Sequence, residues 1–186
     1  MNTTNNHRFE SHIHPIMNPF LTVLENAIKK LPNNALHLDN GLYFCYFDHS
    51  KNILITEEYG HVKVDQKHFH MHNASMKVTR TLCANKTKSS EVFDPASQQL
   101  LEAGAIKIGK DFAGGSGNGI MSDPLICEAT ATIWLIAKDL YHKGGSRASQ
   151  DSSFWTKILK EAKIIHEEIS PENNFILEIA EAMNVF

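Results

Sequence analysis

No apolar run in this chain of 186 residues is long enough to cross a bilayer. The stretches 42–47 and 133–137 fall far short of the roughly 20 residues that a spanning helix needs. Cysteine is scarce: Cys45, Cys83 and Cys127 are an odd set, widely spaced and without a CxxC, which argues against a disulfide framework and for a reducing compartment. Positive charge is scarce too. Eighteen Lys and Arg against 21 Asp and Glu leave a net charge of −3 with no dense basic block, so no nucleic-acid footprint is expected. The polar start MNTTNNHR offers no apolar core for a Sec signal, and the expected location is cytoplasmic, with signal-independent export compatible with the same sequence. GxxxxGK[ST], GxSxG, HExxH and DxDxDG are all missing, which removes the commonest phosphate, hydrolase, zinc-protease and calcium fingerprints.

What is present begins with a helix marked at both ends. Asp123 can cap it, Pro124 fits the first turn, Lys143 suits the negative end of the dipole and Gly144 can close the last turn. Apolar residues cover most of its circumference and leave a thin polar stripe through Glu128, Thr132 and Asp139, so residues 124–143 are predicted to be a buried central helix.

Residues 1–14 read as a mobile polar tail and 15–186 as a single domain. Asn18-Pro19 opens a helix to about Leu31. Period 3.6 then gives way to period 2: strands are predicted at 42–47, 53–59 and 61–64, and a hairpin from 68–72 and 76–83. Asp94-Pro95 opens a short helix ending at Gly104, 105–112 is a further strand, and two amphipathic helices close the chain from Asp151 and Ser170. The predicted fold class is therefore α+β, an antiparallel meander over about 40–83 packed by helices.

Two stretches carry a hint of chemistry. His68, His70 and His72 alternate with Phe69 and Met71. On a strand the three imidazoles share one side about 7 Å apart, and two neighbours plus His61 or Cys83 could hold zinc. The competing reading puts Phe69 and Met71 in the core and the histidines in solvent. The second stretch, Gly114 to Gly119, contains Gly115, Ser116, Gly117 and Asn118, whose backbone could cradle an anion ahead of a helix. Its spacing matches no phosphate fingerprint, and a plain glycine hinge is the simpler reading. Of the thiols, Cys127 and Cys45 read as packed and Cys83 as exposed.

Two functions of different class follow. The first is a non-catalytic intracellular module that binds another protein through an apolar groove or a sheet edge. The alternative is a metal-dependent enzyme or small-ligand protein using His68, His70 and His72 with the 114–119 loop.

Overall fold

The computed structural model of the chain describes residues 16–30, 41–60, 62–145 and 152–182. The elements run α1 (Met17–Lys30), β1 (Gly41–Asp48), β2 (Ile53–Gly60), α2 (Lys67–Ala84), β3 (Phe93–Asp94), β4 (Gln99–Leu100), β5 (Ala105–Ile108), β6 (Asp111–Asn118), α3 (Pro124–Leu140), α4 (Ser152–Ile169) and α5 (Phe175–Ala182). The fold is α+β, as the sequence predicts: a four-stranded antiparallel sheet in the order β2-β1-β6-β5, with β3 and β4 as a separate ribbon.

The sheet is buried on both faces because β1, LYFCYF, is apolar at every position. Leu42, Phe44 and Tyr46 point to one side, where they meet α3, α1 and the α4–α5 pair. Trp134 of α3 is the hub, its ring 5.3 Å from Phe20, 5.9 Å from Phe44 and 5.1 Å from Tyr46. Tyr43 and Cys45 point to the other side, where α2 packs its Ala74 and Val78 with Ala105 and Phe112.

The central helix stands where the sequence puts it. Asp123 accepts from Leu125 N–H at 2.9 Å, and every residue from Ile126 to Lys138 is buried. It ends at Leu140 and passes into one wider turn over Tyr141–Gly145. Lys138, buried with the rest, is neutralised by Asp111 at 3.1 Å.

Several local expectations give way. The 68–83 hairpin is a single helix, α2. Its buried stripe is His70, Ala74, Lys77, Val78 and Thr81, a helical spacing written in small and polar residues that carry little apolar periodicity. The third strand is absent: Val62 and Lys63 lead into a short 3₁₀ turn, and His61 lies outside the described residues. No helix follows Asp94, whose carboxylate instead accepts from Ala96 N–H and Ser97 Oγ in the turn joining β3 to β4. The single strand at 105–112 is two, folded at Gly109, which takes a φ of 61°. The predicted cap Ser170 turns into the core, and Asn173 caps α5 from Phe175 N–H at 3.1 Å. The tail at 1–14 and the cap Asp151 lie outside the described residues.

The glycine stretch is not a loop. Gly114 to Asn118 belong to β6, paired with β1 on one side and β5 on the other, and Gly119 opens the 3₁₀ turn that follows. Its glycines answer to space. A Cβ on Gly117 would stand 2.1 Å from the Gly41 carbonyl oxygen, and one on Gly114 would stand 2.6 Å from Ala105 Cβ. Bare backbone lets neighbouring strands and helices approach where side chains would hold them apart.

Candidate functional site

The two stretches singled out from the sequence meet, in a different geometry from the one expected. Ser116, on the α2 side of β6, has its Oγ 3.0 Å from His70 Nδ1, and both residues are buried. The sheet register sets Ser116 beside Tyr43 and Tyr43 beside Glu58, so the three form one row under the first turns of α2. Tyr43 donates its hydroxyl to Glu58 at 2.6 Å, and Lys67, at the start of α2, donates to the other oxygen of the same carboxylate at 2.6 Å. The bond to Glu58, aided by desolvation, pushes the Tyr43 phenol up to about 12.

Burial, with the nearby Lys77 ammonium, holds His70 below its ordinary pKa, so the imidazole is neutral at neutral pH. Its Nε2 is buried and has no hydrogen-bond partner among the described residues. A neutral histidine against a serine hydroxyl has the makings of a nucleophile and base. The surroundings are wrong for it. Ser116 sits in the middle of a flat strand paired on both sides, and the charged group felt by His70 is a cation, where a catalytic histidine is oriented by an acceptor. The contact locks α2 onto β6.

The helix separates the three histidines. Successive residues turn by about 100°, so His70 faces the sheet while His68 and His72 are exposed on the outer side. A single ion shared by all three is therefore outside this geometry, and Cys83 stands at the far end of α2. Gly115 and Gly117 face α3 and Met121, whereas Asn118 is buried at the end of β6. Among the described residues no group of three or more His, Cys, Asp or Glu side chains is placed to hold a metal.

A second buried polar group escapes the sequence reading. Glu128 on α3 accepts from Ser170 Oγ, which also receives Lys88 Nζ at 3.1 Å, and Lys88 reaches Glu172 at 2.9 Å. One turn along each helix, Thr132 Oγ1 lies 3.0 Å from His166 Nδ1. Burial raises the Glu128 carboxyl and presses His166 down to about 4. Glu128 and Ser170 are fully buried, so this group staples α3 to the α4–α5 junction and offers no entry to a substrate. Its signal in the sequence was the thin stripe of Glu128 and Thr132 on an otherwise apolar helix.

The thiols are equally clear. Burial pushes Cys45 up to about 11 and Cys127 up to about 12, overriding any help to Cys127 from the helix start. Cys83 alone is exposed.

Among the described residues, one edge of the sheet has no strand beside it. At one side of the sheet β5 is covered, by the Lys88–Ile106 bridge and by Lys107 N–H to Thr87 O at 2.7 Å. At the other side β2 pairs only with β1, and among the described residues no backbone group bonds its outer rim. Along that rim Leu54 is 41% exposed. Glu57 points to the opposite side, its carboxyl raised by desolvation and without a described partner. No helix among the described residues is long and apolar enough to cross a membrane. No protein-family model, no curated protein and no solved structure matches this chain.

Proposed function

We propose that the protein is a non-catalytic binding module that takes an extended segment of another protein along the open edge of β2. The observation that carries this reading is the asymmetry of the sheet among the described residues: β5 is covered by the 87–88 segment, and the eight-residue strand β2 pairs with β1 alone. Unpaired N–H and C=O groups on such an edge are a template for one more strand. Main-chain bonds would supply affinity, and alternate side chains would supply selectivity.

The two outward signals on β2 define the partner. Leu54 asks for an apolar side chain on the α2 side of the added strand. Glu57, three residues on and on the other side, asks for Lys or Arg, since a cation there would offset the desolvation of its carboxylate.

A random peptide library screened against the full chain tests this. Binders should be extended sequences with a basic residue, should slow hydrogen exchange in β2, and should lose about tenfold or more in affinity against Glu57→Lys or Leu54→Lys, equivalent to about 1.4 kcal/mol. Binders that protect another element and ignore both substitutions would remove the reading, as would a screen with no binder.

The alternative, a metal-dependent enzyme or small-ligand protein built on His68, His70 and His72 with Gly114 to Gly119, is supported by one observation, the His70–Ser116 contact. That contact is buried and internally satisfied through Nδ1, which favours the binding module.

A further inference from the structure

We propose that His68 and His72 form a two-imidazole chelate for a divalent transition-metal ion, zinc first, on the outer face of α2. The inference is independent of the strand-edge reading. It follows from the change of secondary structure over 67–84. On a strand, residues 68 and 72 would stand too far apart to share an ion. On a helix they are one turn apart on one face, with Cβ atoms about 5–6 Å from each other. Two imidazole nitrogens at about 2.0–2.1 Å from one ion fit that spacing, as in helical motifs that pair histidines four apart.

The surroundings favour it. Both side chains are exposed, and neither is engaged with another described residue. Lys67, the nearest cation in sequence, is drawn off into its ion pair with Glu58 at 2.6 Å. Lys77 is on the inner face, its ammonium donating to Ala103 O at 2.8 Å. Asp65, exposed one turn before His68, adds negative charge on the approach. The ion's remaining positions would be filled by water, which makes this a surface site open to a further ligand.

The chain holds other histidines, so the test must be resolved by residue. Zinc chloride is titrated into the labelled full chain while the imidazole ring signals are followed by NMR. The expected result is that His68 and His72 shift together with one midpoint while buried His70 stays still. His68→Ala and His72→Ala, both at exposed positions, should each weaken binding at the remaining histidine by about tenfold or more. A spacing control, His72→Ala with Asn73→His, keeps the number of histidines, breaks the one-turn pairing and should fail likewise. Unmoved His68 and His72 signals at millimolar zinc overturn the proposal. So does an equal response in the spacing control, because the ion would then be held by single imidazoles.

Discussion

Replacing Gly117 by alanine brings a new methyl carbon to 2.1 Å from the Gly41 carbonyl oxygen, with Met121 Cβ at 2.9 Å and Leu42 Cα at 3.0 Å. Two of those three atoms are backbone of β1, the strand to which β6 is bonded, so relief requires β1 and β6 to part. Overpacking a tight core costs about 1–3 kcal/mol when side chains can give way. Here the backbone itself must move, so a loss of ~3 kcal/mol or more is expected. Gly115→Ala should cost less, about 1–2 kcal/mol, because its nearest obstacle is the end of a side chain, Leu42 Cδ1 at 2.8 Å, and not backbone. Gly109→Ala is the control: nothing stands within 4 Å of the added carbon, and only its φ of 61° is unfavourable, at about 1 kcal/mol. Urea unfolding followed by the fluorescence of the buried Trp134 and Trp155 gives the three values. The expected order is Gly117, then Gly115, then Gly109. A Gly117→Ala chain that fails to fold agrees with the steric argument. One as stable as the Gly109 variant refutes it, and a stabilised one would restore the flexible-loop reading, in which alanine gains about 0.4–1 kcal/mol by stiffening the unfolded chain.

Two further outcomes are expected. His166 is neutral in the fold with a pKa near 4, while in the unfolded chain it titrates near 6.5; its stabilising effect is complete above pH 6.5 and declines as the pH falls toward 4, by up to about 3 kcal/mol. Glu128 runs the other way, since its raised carboxyl favours the fold at low pH and that contribution declines as the pH rises above the usual carboxylate range. The stability difference between the native chain and His166→Gln isolates the histidine, and a difference that is flat between pH 7 and 4 would contradict its burial in the neutral form. A thiol reagent should modify one cysteine per folded chain, Cys83, with Cys45 and Cys127 reacting only on unfolding; rapid labelling of Cys127 would mean that the α3–β6 contact opens.

The sequence alone determined the parts whose physics is local. Asp123 and Pro124 mark the start of α3 whatever surrounds them, and an apolar circumference can only be buried. LYFCYF can only be a strand covered on both faces. The thiols follow the same logic: Cys45 lies inside that strand, and Cys83 lies at a polar end.

Tertiary structure decided what depends on a neighbour. His68 to Cys83 alternates over five residues like a strand, yet becomes a helix whose inward residues pack on one face of the sheet, Ala74 and Val78 with Tyr43, Cys45 and Phe112, and His70 against Ser116. Small and polar residues face inward there, so the large ones, Phe69 and Met71, mark the outer side and mislead any search for apolar periodicity. The glycines of β6 look like a loop on their own, because the requirement for them belongs to Gly41, Ala105 and Leu42, remote in sequence. Ser170 caps nothing for the same kind of reason, since Glu128 offers its hydroxyl a stronger, buried acceptor. Which sheet edge is covered, and which histidines share a helix face, are properties of pairing and rotation about an axis. They exist only once the chain has chosen its neighbours.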